Sequence, residues 1–251
     1  MNSALTYVLL LISLVLSLQG CAGSQSASKE KAGALRNLGS SLVQEGNLRA
    51  GLEKLLEAVE LDPTDSDTHH ELARVYRDLE EYRLSLDHFK KALRLRPDFP
   101  EALNNMGTVY LKLRQWDPAI DCFQQAGGNL LYKTPHYAYN NLGLAYFGKG
   151  EYWKAIASYQ KSLKLAPSYS PAHTNLGLAL ERIRRWEAAI AAYEKAIEVD
   201  PDYAPAHFNL GRLHLKFNRS AEAAEELRQT IRIDPRSPFA HEAKRLLNEI
   251  R

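Results

Sequence analysis

Apolar residues recur through most of the chain in stripes with helical spacing, and short polar breaks such as Gly150–Glu151 and Arg184–Arg185 separate the stripes. Each stripe predicts a helix of about 14 residues with one buried face. The stripes come in pairs that return every 34 residues, so that Leu176 in one pair corresponds to Leu210 in the next. A fixed period of this length predicts a stacked array of helix pairs, in which each unit packs only on its neighbours.

Six copies of this unit fill residues 32–237, at 32–65, 66–99, 100–135, 136–169, 170–203 and 204–237. Each copy has small residues at positions 8 and 20 and a large one at position 24; in the fifth copy these are Gly177, Ala189 and Tyr193. The pattern resembles the tetratricopeptide repeat, and the resemblance implies an all-α, right-handed superhelical solenoid of six helix pairs. Residues 238–251 add one amphipathic stripe, which predicts a C-terminal capping helix.

The N-terminus carries an apolar run, Leu5–Leu18, that is shorter than the roughly 20 residues needed to cross a bilayer. Such a run predicts a secretory signal at 1–20. Its ending, Leu18-Gln19-Gly20-Cys21, resembles the bacterial lipobox, which implies acyl chains such as palmitate on Cys21. A plain signal peptide with a coincidental cysteine is the alternative.

Residues 21–31 are rich in Ser, Ala and Gly, and we expect them to form a lipidated, flexible linker. Ala22 rather than Asp follows the cysteine. By resemblance to enterobacterial lipoprotein sorting, this residue implies the periplasmic face of the outer membrane.

The charges are nearly balanced, with 32 basic and 30 acidic residues and a net charge of +2, which favours a protein partner over a nucleic acid. No metal-binding spacing, phosphate loop or nucleophile motif occurs, so we expect no catalytic residue, metal or cofactor and no enzymatic activity. Histidines recur at position 4 and are predicted to pack: His69, His173, His207 and His241. Cys122 is expected to be a small buried apolar residue, with a reactive thiol as the alternative.

Asparagine recurs at position 6 of the first helices, on the face that is concave in this repeat class: Asn37, Asn105, Asn141, Asn175 and Asn209. An Asn side chain offers one acceptor and two donor hydrogens, which match the N–H and C=O of an extended peptide. The row resembles the asparagine ladder in the repeat arm of a nucleocytoplasmic sugar transferase, which implies peptide binding. The alternative is that these side chains cap or cross-link neighbouring helices.

Four further residues are candidates for contact with a partner. Arg74 and Arg212 place isolated positive charge at position 9, and Tyr137 and Phe208 are the best-placed aromatic residues. The carboxylate clamp of chaperone adaptors is disfavoured, because no copy carries its set of basic residues.

The joint between the third and fourth copies is two residues longer than the others. Gly127 and Gly128 should end the helix early there and leave 130–132 (Leu-Leu-Tyr) in an extended connection. This connection is either a loop insertion without a function or a segment whose apolar side chains pack on the solenoid or contact a partner.

The lipobox, the six repeats and this joint together resemble the pilotin family of type IV pilus systems. The resemblance implies an outer-membrane lipoprotein that helps secretin subunits to assemble. A lipoprotein adaptor for cell-wall hydrolases or proteases, and a non-catalytic subunit of an envelope enzyme, are the alternatives.

Overall fold

The computed structural model describes residues 26–250, in which all regular structure is helical. The described part contains α1 (26–44), α2 (Leu48–Leu61), α3 (Ser66–Asp78), α4 (Tyr82–Leu95), α5 (Pro100–Lys112), α6 (Trp116–Gly128), α7 (Pro135–Lys149), α8 (Tyr152–Leu165), α9 (Ser170–Arg182), α10 (Trp186–Val199), α11 (Ala204–Lys216), α12 (Ser220–Ile233) and α13 (Pro238–Glu249). Odd-numbered helices up to α11 are the first helices of the repeats, and even-numbered ones are the second. The predicted fold class, a solenoid of helix pairs, is confirmed.

The described residues form two compact units, which divide between Ala102 and Leu103 in the first turn of α5. In the described part of the first unit, α1 to α4 form two helix pairs. In the second unit, the rest of α5 and the helices up to α12 form four pairs, and α13 packs against both α12 and α11. Helices α2 to α13 are short enough to be marginal alone, so their stability comes from this packing.

In the third, fourth and fifth repeats the two helices approach closely because position 8 is a glycine, which has no side chain where the ring at position 24 lies. A Cβ added to Gly177 would lie 2.4 Å from Cε1 of Tyr193, and a Cβ on Gly143 would meet Tyr159 at the same distance. Both rings are almost fully buried. The small residues of the sequence pattern are therefore what allows the large ones to fill the core.

The turn between the two helices has a left-handed residue at position 15 of every repeat: Gly46, Glu80, Arg114, Gly150, Arg184 and Asn218, with φ between 55° and 86°. The N–H of the next residue then donates to a carbonyl five residues earlier, as from Glu81 to Tyr76 at 2.8 Å. This arrangement is the Schellman ending of a helix, which satisfies carbonyls that would otherwise lack a donor.

In the second, fourth, fifth and sixth repeats, the position-4 side chain ties the first helix to the end of the preceding second helix, whereas position 4 is leucine in the first and third repeats. Nε2–H of His173 donates to the carbonyl of Pro167 at 2.8 Å, and His69 and His207 make the equivalent bonds to the preceding proline at 3.1 and 3.0 Å. In the fourth repeat the Tyr139 hydroxyl plays this part and donates to the carbonyl of Gly127 at 2.8 Å. His69 and His207 are buried, as expected for packing residues.

His241 departs from this pattern, because it is exposed on α13. Its Nδ1–H donates to the carbonyl of Ser237 at 2.9 Å, so the ring binds within the first turn of its own helix instead of packing between helices.

The N-terminal helix is longer than the sequence pattern predicts. Residues 26–31, the first that the structure describes, are helical as part of α1 and do not form a flexible linker. Ala27, Lys29, Glu30 and Lys31 are good helix formers, and Ser28 Oγ donates to the carbonyl of Leu61 at 3.1 Å. The predicted signal at 1–20, Cys21 and linker residues 21–25 lie outside the described residues.

The long joint forms a tight turn rather than an extended connection. Helix α6 ends at Gly128, one residue earlier in the repeat than the second helices α4, α8, α10 and α12 end. Residues 130–131 form the turn, and Tyr132 is buried beside Ala126 and Ala138. The buried tyrosine explains why this apolar segment does not stay extended.

Candidate protein-binding surface

In the second unit, the first helices bring asparagines of neighbouring repeats into contact. Nδ2 of Asn141 donates to Oδ1 of Asn104 at 3.1 Å, and Nδ2 of Asn175 donates to Oδ1 of Asn140 at 2.9 Å. Each bond joins position 6 of one repeat to position 5 of the repeat before it. These rungs cross-link α5 to α7 and α7 to α9.

The row of rungs stops at the sixth repeat because position 5 of the fifth repeat is Thr174. Asn209 turns instead to its own helix and donates from Nδ2 to the carbonyl of Pro205 at 2.7 Å. The Thr174 hydroxyl is buried and has no hydrogen-bond partner among the residues that the structure describes. Because position 5 of the fifth repeat is threonine, Asn209 has no asparagine to pair with there and bonds to its own helix instead.

The rungs leave part of each amide available to a partner. Asn141 and Asn175 are half-buried, and each retains a second N–H and its own Oδ1 beyond the bond that it donates to its neighbour. Cross-linking, the alternative function of these residues, is therefore present at two positions. Peptide binding stays a prediction, and Asn105, which is half-buried on α5, belongs to the same row.

The sequence contained evidence for these hydrogen bonds, but comparing the same position across all repeats does not reveal it. Asparagine occurs at position 5 of the third and fourth repeats and at position 6 of the fourth and fifth. Pairing position 6 with position 5 of the preceding repeat would have identified Asn104 and Asn140 as part of the surface.

Arg212 lies in a charged cluster of the second unit. Its guanidinium donates to Glu181 Oε1 at 2.7 Å, and the Tyr193 hydroxyl donates to the same oxygen at 2.6 Å. Burial, followed by this contact with Glu181, raises the pKa of Tyr193. Because the Glu181 side chain is nearly buried, it needs the positive charge of Arg212, which is therefore committed to an internal ion pair.

The two aromatic candidates have different surroundings. Tyr137 is exposed, and its ring packs edge-on against Tyr169 with 5.3 Å between centroids. Phe208 is half-buried, and its ring lies 5.2 Å from that of Phe239 on the capping helix α13. Tyr137 is thus open to a partner, whereas Phe208 mainly anchors the cap.

In the first unit, the two remaining candidates take part in local polar contacts. The Arg36 guanidinium donates to Oδ1 of the exposed Asn37 at 3.4 Å and also pairs with Asp65 at 2.7 Å. Arg74 donates to both carboxylate oxygens of Glu71, at 3.0 and 2.9 Å.

A pair of histidines in the second repeat was not predicted from the sequence. Nε2 of His69 is bound to the Pro63 carbonyl, so its Nδ1 accepts a hydrogen bond from Nδ1–H of His88 at 3.0 Å. Burial, then the neighbouring His69 and Lys91, lower the pKa of His88 to about 4. In the sixth repeat Glu226 stands where His88 does and binds His207 at 2.6 Å.

Cys122, at the same repeat position as His88, is buried and has no disulfide partner among the described residues. Burial, followed by the nearby charge of Asp121, raises the pKa of its thiol to about 12. The thiol is then protonated at neutral pH, which favours the expected role as a small buried apolar residue over a reactive one.

Residues 26–250 contain no group of three or more His, Cys, Asp or Glu side chains placed to hold a metal ion. None of the helices in this range is long and apolar enough to cross a membrane.

Three family models, all of them tetratricopeptide repeats, match the chain at residues 73–113, 136–169 and 174–238. The type IV pilus assembly protein PilF of Pseudomonas aeruginosa is 29% identical over 160 residues, which are 61% of this chain and 64% of PilF. The match therefore spans less than two thirds of that relative's length.

Two solved structures are also similar. One, from a functional characterisation of P. aeruginosa pilF, has a TM-score of 0.73 and 25% identity and covers 87% of this chain and 98% of the other. The other is PilW, a widely conserved type IV pilus biogenesis factor, with a TM-score of 0.76 and 20% identity over 84% of this chain and 97% of its own. The likeness to PilW shows the fold alone.

Proposed function

Since the chain belongs to the tetratricopeptide-repeat proteins, we propose that it is a non-catalytic, protein-binding scaffold of the bacterial cell envelope that acts in type IV pilus biogenesis. The observation that carries this proposal is the similarity to P. aeruginosa PilF, which extends over 98% of the solved chain at 25% identity. A repeat protein of this kind acts by presenting an extended surface to a partner.

The finer part of the proposal is that the protein is a pilotin-like lipoprotein. Acyl chains on Cys21 would hold it at the periplasmic face of the outer membrane, because two or more chains anchor stably whereas one does not. The partner would be a secretin subunit, which the solenoid would escort to the membrane and help to assemble into a multimer.

Within the second unit, we place the partner on the row that contains Tyr137, Asn141 and Asn175. The half-buried amides retain hydrogen-bonding groups for an extended backbone, and the exposed Tyr137 ring supplies an apolar contact beside them. Each hydrogen bond contributes a net of only about 0.5–1.5 kcal/mol. Several bonds along one segment are therefore needed to hold it, which suits an array of repeats.

Deleting the gene tests the proposed role. We expect a loss of secretin multimers and of pilus-dependent twitching, both restored by the wild-type gene. Normal multimers together with altered levels of cell-wall hydrolases would contradict the pilus role and favour the adaptor alternative.

Complementation with two substitutions separates the anchor from the binding surface. Cys21→Ser should move the protein out of the outer-membrane fraction and reduce multimers, and an unchanged fractionation would contradict lipidation. Tyr137→Ala should strongly lower capture of the secretin and lower the melting temperature only slightly, through the lost contact with Tyr169. Trp153→Ala is its control, since it removes another exposed aromatic ring, from a second helix.

A further inference from the structure

The turn at the long joint is held by two hydrogen bonds to Asn129 at one end and by the buried Tyr132 ring at the other. The backbone N–H of Leu131 donates to Oδ1 of Asn129 at 2.8 Å, and the N–H of Tyr132 reaches the Asn129 carbonyl at 3.3 Å. The Tyr132 ring is buried next to Ala126 and Ala138. Because these contacts fix the backbone, the two residues at the tip point outward in a defined way.

Leu130 and Leu131 occupy that tip and are 98% and 74% exposed. Turn tips usually carry Gly, Pro, Asn or Asp, because these residues adopt the backbone angles of turns and tolerate contact with water. Every other large apolar side chain in residues 26–250 is at most 65% exposed. Because Leu130 and Leu131 are so exposed, they contribute little to the stability of the fold. Their presence at the tip indicates a contact with another molecule.

The sequence around the turn is almost free of negative charge. Residues 122–180 contain a single acidic residue, Glu151, although the whole chain has 30. The same stretch has five lysines: Lys133, Lys149, Lys154, Lys161 and Lys164. Its net charge is therefore +4, larger than the +2 of the entire chain.

Part of this positive charge is available near the turn. Lys133 follows the turn directly and is exposed. A cavity of about 460 Å³ opens between Gly128, at the end of α6, and Lys161. The Lys161 ammonium lies 4.0 Å from the centre of the Tyr139 ring and makes no ion pair with any residue that the structure describes.

The last turn of helix α8 lies at the same edge. Ser162 Oγ donates to the carbonyl of His136 at 2.8 Å, which ties the end of α8 to the start of α7, just after the turn. Lys164 and the exposed Leu165 follow Ser162 within this last turn of α8. Exposed leucines and lysines therefore occur together at this edge of the second unit, which consists of the turn and the adjoining end of α8.

We propose that this edge docks on an anionic phospholipid surface, with Leu130 and Leu131 entering the boundary between headgroups and acyl chains. A convex apolar tip needs no preformed pocket in fluid hydrocarbon, whereas a protein partner would need a hollow that matches it. Lysines beside the tip would face lipid phosphates, as in other interfacial binding segments. The inference does not rest on acylation of Cys21 or on a pilus partner.

Hydrogen–deuterium exchange of the full-length protein tests the proposal directly. The protein is compared alone, with vesicles of phosphatidylcholine, and with vesicles of equal parts phosphatidylethanolamine and phosphatidylglycerol. Amides of residues 130–134 should exchange at least about fivefold more slowly with the anionic vesicles only, and added salt should weaken the effect. Unchanged exchange at 130–134 with anionic vesicles overturns the proposal and indicates that the leucines contact a protein partner instead.

Two double variants provide the control. Leu130→Ser with Leu131→Ser should abolish the protection and leave the melting temperature unchanged, because both side chains are exposed. Leu79→Ser with Leu113→Ser, which changes less exposed leucines at the ends of other helices, should keep the protection. Equal protection in both double variants would show that the leucines do not contact the lipid, and would overturn the proposal.

Discussion

The Asn175 amide donates to Oδ1 of Asn140 at 2.9 Å, although the two residues are 35 positions apart in the chain. Asn140 is almost fully buried. Asn175→Ala would leave this buried oxygen without its donor, which costs about 1–3 kcal/mol. We therefore expect a lower urea midpoint for Asn175→Ala. Asn248→Ala, which changes an exposed asparagine on α13, is the control, and equal midpoints for the two would show that the rung adds no stability.

Two buried threonines should respond in opposite ways to replacement by valine. The Thr174 hydroxyl has no described partner, so Thr174→Val should keep or raise the free energy of unfolding. The Thr68 hydroxyl donates to Asp65 Oδ2 at 2.6 Å, so Thr68→Val should lower it by about 1 kcal/mol. Chemical denaturation measures both, and a clear loss in Thr174→Val would reveal a partner for that hydroxyl.

Gly177→Ala should destabilise the fifth repeat, because the new methyl group would overlap the buried Tyr193 ring. Overpacking of this kind costs about 1–3 kcal/mol. Gly128→Ala is the matched control, since a Cβ there meets no atom within 4 Å. A melting temperature that falls for both variants alike would contradict the close approach at position 8.

The His69–His88 pair and the His207–Glu226 pair predict opposite responses to pH. Burial lowers the pKa of both His69 and His88 below that of the unfolded chain. The unfolded state then binds more protons between pH 6.5 and about 4, so the second repeat should lose on the order of 1–3 kcal/mol as the pH falls through that range. His88→Gln should reduce this loss, as measured by urea midpoints at pH 7.5 and 4.5. An unchanged pH dependence in this variant would contradict the pairing.

For His207, burial disfavours the protonated form, but the hydrogen bond to Glu226 outweighs the effect of burial, so the pKa of His207 is raised. The stabilisation is present in full below the unfolded pKa and is lost as the pH rises through the folded one. Glu226→Gln should therefore remove stability at pH 6 and change it less at pH 9, and an equal loss at both pH values would contradict a charged pair.

Much of the fold could be predicted because its main packing contacts are made within one repeat. The small residue at position 8 and the large residue at position 24 belong to the same repeat, so their recurrence in six copies identifies the pair of helices. The rungs between asparagines could not be predicted in this way. They depend on how far one repeat is shifted against the next, which places position 6 opposite position 5.

The segments that depart from the period, at the N-terminal end and at the long joint, were also harder to predict. Residues 26–31 have the composition of a linker, yet their helix-forming residues extend α1. At the long joint, the sequence showed three apolar residues in a row but not that Tyr132 turns inward while Leu130 and Leu131 turn outward. That division depends on the small space between Ala126 and Ala138, on two different helices.

The left-handed residue at position 15 has a consequence for engineering a more heat-resistant form. In three repeats this conformation is imposed on Glu80, Arg114 and Arg184, whose side chains make it unfavourable by about 1 kcal/mol each relative to glycine. Replacing all three by Gly should raise the melting temperature by a sum of small steps, since sites in separate repeats act independently. Substitution at these turns should therefore increase thermal stability without altering the proposed contact residues.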